Sequence, residues 1–387
     1  MLDDAPLDPP VLPVGFQRFH RRKFLNYQLN RAHALGFADG EELRATAASL
    51  SSRSECPSAF ESLSERALHE GRTRHATSYL RIAEFFTPPR SPDKVAIYRR
   101  YRDLFDAGFA ASGATRHEVA YGGSTIPAYR LTSIGGPPLG TVLVHGGFDS
   151  LIEEFFAIWQ RIAAAGFDVV AFDGPGQGGA RALGGVTFDH DWEKPVGAVL
   201  DHFGIETAAL VGISMGGYWA LRAAAFEPRI DRVVSWPPVY DWIAGIPQPA
   251  RGVVRAMLRR RRFMNWSVRI RTRLSPTLRQ VVDQARYLVD DQEPMAAVDW
   301  FLGMNADHLA SERVTQDVLV MCGEHDTYQP PRLARLQVRA LTDARSVTVR
   351  TFTKAEHADQ HCQMGNLDLA CRELTTWLRQ SPRGATA

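Results

Sequence analysis

The segment LVGISMGGYWALRAAA, residues 210–225, constrains the fold of this chain more than any other segment. An apolar run leads directly into the turn from Gly212 to Gly216, which has the pattern G-x-S-x-G, and apolar residues at helical spacing follow it. Between a strand and a helix, this pattern is typical of a serine held on a strained turn, where small neighbours let two backbones pass closely. The chain therefore needs a buried strand with a helix packed against it, and Ser214 is the candidate nucleophile.

Other short apolar runs extend this unit into a sheet. They alternate with helical stretches, as is typical of parallel strands buried on both faces, and they read GTVLVHGG, FDVVAFDGPGQGG, AALVGIS, DRVVSWPPV, DVLVMCGEHD and SVTVRTF. Before them, HEVAYGG and IPAYRLTS alternate like the two strands of a hairpin. We therefore predict an α/β chain with a doubly wound, mostly parallel sheet.

Two regions outside the strands read as helical. Residues 1–115 show apolar residues at helical spacing near 20–35, 57–71 and 75–87, with no strand pattern. A second region, at about 240–300, separates two of the predicted strands. We expect a helical N-terminal cap at 1–115 and a catalytic domain at 116–387 with a helical lid insertion.

Composition limits the partners. The chain has 387 residues, 45% of them hydrophobic, and its 45 basic and 43 acidic residues leave a net charge of +2. This balance gives no reason to expect nucleic acid or a membrane as a partner. No apolar run approaches the roughly 20 residues that span a bilayer, and MLDDAPLDPPVLPVGF lacks the pattern of a secretory signal. Four cysteines without CxxC spacing favour reduced thiols in the cytoplasm.

One local charge run stands out. Residues 251–273, RGVVRAMLRRRRFMNWSVRIRTR, contain nine arginines and no acidic residue. Such a run can bind phosphate or an acidic partner, for example an acyl carrier protein, although a solvated basic lid helix is the more common explanation.

A serine nucleophile needs a base and an acid that orients it, in the chain order Ser, acid, His for this type of turn. Asp326 follows a late strand and is the preferred acid, with Glu324 as its neighbouring alternative. Asp241, after the preceding strand, is an outside alternative or a polar substrate contact, and we interpret His325 as a loop residue. The base lies in TKAEHADQHCQMGN, which offers His357 and His361, and spacing alone does not decide between them.

The third requirement is an oxyanion hole. VHGGFDS follows the first buried strand, so the backbone N–H of Gly147 or Phe148 can supply one donor and that of Met215 the other. His145 in the same segment is interpreted as structural. FDGPGQGGA lacks the Lys-Ser/Thr of a phosphate loop, and no metal, nucleotide or flavin motif is present, so we expect no cofactor.

Taken in order, HGGFDS, FDGPGQGG, GISMGG, GEHD and HCQMGN, behind FLNYQLNRAHALGF and RIAEFF, resemble one branch of the α/β hydrolases. That branch is the FrsA-like esterases, with the 2,6-dihydroxypseudooxynicotine hydrolase and the fungal pigment enzymes that shorten polyketides. The resemblance implies the α/β-hydrolase fold and assigns the catalytic base to the histidine of His-Cys-Gln, which is His361 here. It leaves Cys362 as a packed neighbour.

The resemblance also implies a reaction. We expect hydrolysis of an ester or of a carbon–carbon bond beside a ketone in a mid-sized, aromatic or polyketide-like molecule, with Tyr240 and Asp241 as candidate substrate contacts. A homodimer is the implied assembly. The alternatives are a non-hydrolytic cyclase or acyl transferase on the same scaffold, and a binding protein that keeps the triad.

Overall fold

A single mixed sheet organises the chain. The computed structural model describes residues 9–380, and within them the strands are β1 (Thr115–Tyr121), β2 (Ser124–Leu131), β3 (Thr141–His145), β4 (Asp168–Phe172), β5 (Ala208–Ile213), β6 (Ile230–Trp236), β7 (Asp317–Gly323) and β8 (Ser346–Phe352). Their order is β1-β2-β4-β3-β5-β6-β7-β8. The pairs β1–β2 and β2–β4 are antiparallel and the others are parallel, so the predicted hairpin and parallel sheet are confirmed. Residues 1–8, part of the segment without a predicted secretory signal, lie outside the described range.

Helices cover both faces of the sheet. They are α1 (Lys23–Ala34), α2 (Gly40–Ser49), α3 (Cys56–His69), α4 (Thr73–Phe86), α5 (Asp93–Gly108), α6 (Phe156–Ala164), α7 (Gly178–Ala182), α8 (Glu193–Phe203), α9 (Gly216–Ala224), α10 (Gln248–Arg259), α11 (Arg261–Leu274), α12 (Pro276–Leu288), α13 (Pro294–Gly303), α14 (Ala306–Leu309), α15 (Pro331–Ala340) and α16 (Leu367–Arg379). Within residues 9–380, no helix has the length and apolar character needed to cross a membrane.

The central strands carry continuous apolar runs because each face of the sheet has its own core. Val142 and Val144 of β3 pack with Trp159 of α6 on one face. Leu143, between them, packs with Trp219 of α9 on the other face. All of these side chains are fully buried, so successive residues point to opposite but equally apolar layers.

The N-terminal helices α1–α5 have a separate core. Its members include Phe60 of α3 and Tyr79 and Leu80 of α4, all of them fully buried. The sequence did not predict α2, because only Leu43 and Ala47 of that helix are buried and the apolar pattern is correspondingly weak. Its beginning is marked instead by Asp39, whose side chain accepts hydrogen bonds from the first turn of the helix.

The chain between β6 and β7 is helical, as the sequence predicted for the region at about 240–300. Helices α12 and α13 bury side chains such as Val282, Leu288 and Trp300 against the rest of the protein. By contrast, α10 and α11 bury no residue. The insertion therefore has an inner, packed part and an outer, exposed part.

Candidate active site

The turn between β5 and α9 places Ser214 at the carboxyl end of the sheet. Ser214 adopts a left-handed backbone conformation with φ of 60°. Gly212 permits the turn, because a Cβ atom at that position would lie 2.0 Å from the carbonyl oxygen of Gly216. The backbone N–H of Ser214 donates a 2.6 Å hydrogen bond to the carbonyl oxygen of Trp236. The strain at Ser214 is thus supported by close packing on both sides.

Three side chains from three parts of the chain meet at this turn. Ser214 Oγ lies 2.8 Å from His361 Nε2, and His361 Nδ1 lies 2.7 Å from Asp326 Oδ2. The second carboxylate oxygen of Asp326 accepts 2.8 Å hydrogen bonds from the backbone N–H groups of Tyr328 and Gln329. These two bonds fix the carboxylate, which in turn orients the imidazole towards the serine.

The alternative residues lie elsewhere. His357 ends a short 3-10 turn in a left-handed conformation and has no contact with Ser214. Glu324 accepts a hydrogen bond from the backbone N–H of Lys354, and His325 pairs with Asp359 at 3.0 Å on the loop. Of the predicted candidates for acid and base, the structure therefore brings only Asp326 and His361 to the serine.

Burial and charge set the protonation of His361. Its side chain is buried, which by itself lowers the pKa, but Asp326 and, to a smaller extent, Cys362 together outweigh burial and raise the pKa well above the ordinary value of 6.5. Because Asp326 accepts the hydrogen bond at Nδ1, the neutral imidazole presents its Nε2 lone pair to the serine hydroxyl. His361 in this arrangement can take a proton from Ser214.

The loop after β3 lies against the serine turn. A Cβ atom on Gly147 would lie 2.9 Å from both the backbone nitrogen of Met215 and the Cβ of Ser214, so only glycine fits there. The N–H of Gly147 donates a 2.8 Å hydrogen bond to Ser150 Oγ and is therefore not available as an oxyanion donor. The N–H groups of Phe148 and Met215 have no partner within the described residues. Of the predicted donors, these two are the ones that remain for an oxyanion.

Gln177, in the predicted loop after β4, supports this arrangement. Its Nε2 donates to the carbonyl oxygens of Gly146 and Gly147 at 3.0 and 2.7 Å, and its Oε1 accepts from the N–H of Gly174. The glutamine thus ties two loops together below the serine. His145, interpreted as structural, is fully buried, and burial lowers its pKa to about 3, so it remains neutral.

A cavity of about 320 Å³ opens onto Ser214 and His361. The N-terminal helices contribute Phe24, Tyr27 and Phe85 to its wall, and the lid insertion contributes Tyr287 and Phe301. Aromatic and aliphatic side chains share the lining with amide groups and with five charged residues, Arg31, Arg81, Glu84, Lys94 and Asp149. The volume and lining are typical of a site for a mid-sized, partly apolar molecule.

Buried ion pairs hold the N-terminal helices to this cavity. Arg31 of α1 and Arg81 of α4 both bind Glu154 of the segment that follows β3, and Arg81 also binds Glu84 at 2.5 Å. Lys94 of α5 binds Glu84 at 2.7 Å. These residues could not be predicted from the sequence, because helical spacing does not distinguish a buried arginine from an exposed one.

The predicted substrate contacts Tyr240 and Asp241 need correction. Neither lines the cavity at Ser214, whereas the next residue, Trp242, does. Asp241 instead accepts hydrogen bonds from the backbone N–H groups of Ala244 and Ala306. Both oxygens of this carboxylate are therefore used by backbone N–H groups, and these bonds stabilise the chain where the insertion begins.

This fold and this site define an α/β hydrolase, and sequence comparison agrees. A family model described as the alpha/beta hydrolase fold matches residues 142–361, more than half of the chain. The chain belongs to this family.

The relatives specify the branch that the motifs resemble. The chain is 31% identical over 196 residues to the hydrolase acrC of Aspergillus aculeatus, covering 43% of this chain and 46% of that protein. It is 34% identical over 182 residues to the 20-hydroxy-prefusarin hydrolase FUS2 of Gibberella moniliformis (41% and 43%). It is 32% identical over 152 residues to the 2,6-dihydropseudooxynicotine hydrolase of Paenarthrobacter nicotinovorans (37% and 39%). Each match spans less than half of the relative's length.

The fold is similar over nearly the whole chain to one solved structure. The crystal structure of the 2,6-dihydroxy-pseudo-oxynicotine hydrolase superposes with a TM-score of 0.64, covering 91% of this chain and 94% of that chain at 19% identity. At this identity the likeness concerns the fold. The named relatives include a pseudooxynicotine hydrolase and fungal hydrolases, the kinds of enzyme that the motifs resemble.

Proposed function

We propose that this protein is a serine hydrolase that cleaves an ester, or a carbon–carbon bond beside a ketone, in a mid-sized aromatic or polyketide-like molecule. The observation that carries the proposal is the continuous series of hydrogen bonds from Ser214 through His361 to Asp326 at the end of a cavity. In this series Ser214 is the nucleophile, and His361 is first the general base and then the general acid. Asp326 orients the imidazole and stabilises its protonated form.

The reaction begins with proton transfer from Ser214 Oγ to His361 Nε2 as the oxygen attacks the substrate carbonyl. The N–H groups of Phe148 and Met215 stabilise the oxyanion that forms, and one such donor typically contributes about 10² to 10³ in rate. The new imidazolium then gives its proton to the leaving group. For an ester this is an alkoxide, and for a ketone it is a carbanion stabilised as an enolate or by an electron-rich ring.

Water completes the cycle. His361, neutral again, removes a proton from a water molecule that attacks the acyl-serine, and the acid product leaves as Ser214 recovers its proton. Cover over the cavity supports the earlier attack by Ser214, because it limits the number of water molecules that compete with the bound substrate. The N-terminal helices and the lid insertion both contribute to that cover.

The substrate class is supported by the cavity and by the relatives' names. Apolar walls with interspersed amides, such as Gln28, Gln280 and Gln284, fit a molecule that carries rings and several oxygen atoms. Two relatives are named for hydrolysis of 20-hydroxy-prefusarin and of 2,6-dihydropseudooxynicotine. We extend this chemistry, and a place in secondary metabolism, to the present chain as part of the proposal.

The experiment is active-site labelling followed by turnover. Wild type, Ser214→Ala, His361→Ala and His357→Ala are each exposed to a fluorophosphonate, and the adduct is read as intact mass. In parallel, the same proteins are assayed with p-nitrophenyl acetate and with a series of aryl esters and aryl ketones. We expect labelling and turnover in wild type and His357→Ala, and loss of both in the other two variants.

Other outcomes have distinct meanings. If His357→Ala loses labelling while His361→Ala keeps it, the proposed base is wrong. A wild type that does not label has no activated serine, and a binding protein becomes the better description. Labelling without release of an acid product points to a cyclase or acyl transferase, in which another nucleophile resolves the acyl-serine.

Three further predictions belong to this proposal. We propose that residues 1–115 and 116–387 act as cap and catalytic domain, that the protein acts as a homodimer, and that it takes a small-molecule substrate. An acyl carrier protein as partner stays a prediction that depends on the arginine-rich run alone.

A further inference from the structure

Helices α10 and α11, residues 248–274, form an exposed surface that combines apolar and basic side chains. We refer to it as the arginine segment. Its Val253 is 61% exposed, its Trp266 is 59% exposed and its Leu274 is 80% exposed. Met257 and Phe263 are exposed as well. Large apolar side chains that are scattered singly on a surface are ordinary, but five within two successive helices form a patch that needs an explanation.

The apolar residues fall on one face of each helix. Val253 and Met257 of α10 are four residues apart, which places them one turn apart on the same side. Phe263, Trp266 and Leu274 of α11 fall within a narrow arc at 3.6 residues per turn, and the rings of Phe263 and Trp266 lie 5.9 Å apart between centroids. Each helix therefore presents an apolar stripe.

Arginines flank these stripes. The segment contains nine arginines and no acidic residue. Arg261 pairs with Asp299 and Arg269 lies 3.5 Å from Glu293. Within residues 9–380, none of the other seven has a carboxylate partner. The patch thus carries a strong positive charge that the overall charge of +2 conceals.

The segment is also weakly attached to the rest of the protein. Neither helix buries a residue, and helices of this length gain most of their stability from packing of an apolar face. Val268 of α11 packs against the core, but the five exposed apolar residues named above have no such packing. An external partner that accepts these residues would therefore stabilise both helices.

Charge and shape select the partner. A second copy of this chain on a two-fold axis would place like-charged arginines against one another, which disfavours self-association through this face. An acidic carrier protein would meet the charge, but a folded partner also needs a complementary surface of fixed shape, and the outward side chains of these helices are largely exposed. A lipid surface accepts apolar stripes without shape complementarity, and its anionic headgroups meet the flanking arginines.

We propose that the arginine segment binds the surface of an anionic lipid bilayer, with the apolar stripes of α10 and α11 inserted between headgroups. The contact is peripheral and reversible. Helix α12 follows directly and lines the cavity with Gln280, Gln284 and Tyr287, so attachment brings a wall of the cavity to the lipid–water interface. The proposal does not depend on the proposed catalytic function.

The test is cosedimentation of the whole protein with vesicles. Phosphatidylcholine vesicles are compared with vesicles that also contain phosphatidylglycerol, each at low and at high salt. We expect binding to the anionic vesicles at least about tenfold above that to the neutral ones, decreasing with salt because screening weakens the arginine contacts. Tryptophan emission should shift to the blue on binding, and Trp266→Phe should lose most of that shift.

Variants locate the contact. Phe263→Ser with Trp266→Ser removes the apolar stripe of α11, and Arg259→Gln with Arg262→Gln and Arg273→Gln removes charge. Both sets are expected to weaken anionic-vesicle binding about tenfold or more. The matched control changes three exposed arginines on α5 and α15 to glutamine, Arg99, Arg335 and Arg339, and should bind like wild type. Thermal unfolding and ester turnover check that every variant is folded.

Four results would overturn the proposal. The first is wild type that does not sediment with anionic vesicles at low salt. The second is equal loss of binding in the control set, which would mean that only overall charge matters. The third is light scattering that shows a dimer which the Phe263 and Trp266 changes dissociate. The fourth is tight binding to an acidic acyl carrier protein with no binding to vesicles. Either of these last two results would assign the surface to a protein partner.

Discussion

The hydroxyl of Tyr27 donates a 3.2 Å hydrogen bond to the backbone carbonyl oxygen of His361, which lies 334 residues later in the chain. Tyr27 is buried on α1, and its ring lies 6.0 Å from the imidazole of His361 and 5.0 Å from the ring of Tyr328. The first helix of the N-terminal region therefore reaches the loop that carries the candidate base. The cap contributes to the position of the base as well as to the wall of the cavity.

The first prediction concerns this bond. Tyr27→Phe keeps the ring and removes only the hydroxyl, so the loop around His361 loses one buried hydrogen bond, typically about 1 kcal/mol. We expect kcat to fall about fivefold, since 1.4 kcal/mol corresponds to a factor of ten, with a smaller change in KM. Steady-state kinetics on p-nitrophenyl acetate measures both. Tyr121→Phe, a hydroxyl deletion at the end of β1, is the control, and an equal loss in that variant would contradict a positioning role for Tyr27.

The second prediction is the pH dependence. Only neutral His361 can accept the proton of Ser214, and Asp326 raises the pKa of His361 well above 6.5 against the effect of burial. As the pH is lowered, kcat/KM should therefore begin to fall above pH 6.5. A pH–rate profile measures this directly, and a midpoint at or below 6.5 would contradict the proposed pairing.

The same pairing predicts the behaviour of Asp326→Asn. The amide removes the negative charge that contributes most to raising the pKa of His361, so the midpoint should move to lower pH while kcat falls by about 10³ to 10⁴. Stability has the matching sign. A raised pKa in the folded state stabilises the fold below pH 6.5, and this contribution disappears as the pH rises through the folded value. Thermal unfolding across this range should show the contribution in wild type and not in the variant.

The sheet and the nucleophile could be predicted from sequence because their physical requirements are local. A strand buried on both faces must be apolar at every position, and the turn at Ser214 needs small residues at fixed positions. Gly212 shows why, since a Cβ there would meet the carbonyl oxygen of Gly216 at 2.0 Å. These features leave their pattern in a few consecutive residues.

No such local pattern in the sequence distinguishes His357 from His361 as the catalytic base. The choice between them depends on the path of the backbone after β8, where His357, Cys362 and Gln363 all adopt left-handed conformations with φ between 50° and 57°. Nothing in the residue types requires these conformations, which the surrounding contacts hold in place. Only the family resemblance separated the two histidines before the structure did.

The misplaced substrate contacts have a related cause. Position after a parallel strand predicts that Asp241 is near the site, but it does not predict which groups the carboxylate will bind. The carboxylate accepts hydrogen bonds from the backbone N–H groups of Ala244 and Ala306. Buried charged residues of the N-terminal helices, such as Arg31, could not be predicted from the sequence either, because their partners lie far away in the chain.

The third prediction concerns the loop against the serine turn. In Gly147→Ala the new Cβ would lie 2.9 Å from the nitrogen of Met215 and from the Cβ of Ser214, so the loop and the turn must separate. The two oxyanion donors would then no longer point to one position, and we expect kcat to fall about 10² to 10³ with less effect on KM. Fluorophosphonate labelling rates provide a second measurement. Gly252→Ala on α10, where a Cβ meets nothing within 4 Å, should leave both unchanged.

The last prediction compares two buried glutamines that line the same cavity. Within residues 9–380, neither amide atom of Gln329 has a hydrogen-bond partner, although the residue is 2% exposed. The side chain of Gln177, also buried, makes three hydrogen bonds to backbone groups. An unsatisfied buried amide destabilises a fold, whereas a satisfied one contributes to it.

Replacement by methionine of similar volume should therefore have opposite effects. Gln329→Met removes an amide that makes no hydrogen bond, and the variant keeps the backbone N–H that binds Asp326. We therefore expect the free energy of unfolding to rise by about 1 kcal/mol. Gln177→Met leaves the N–H of Gly174 and the carbonyl oxygen of Gly147 unpaired, and should lower the free energy of unfolding by about 2 kcal/mol or more. Urea unfolding of both variants beside wild type measures the difference. Destabilisation of similar size in both would mean that the amide of Gln329 has partners in solution, and that the wall of the cavity differs there from the structure.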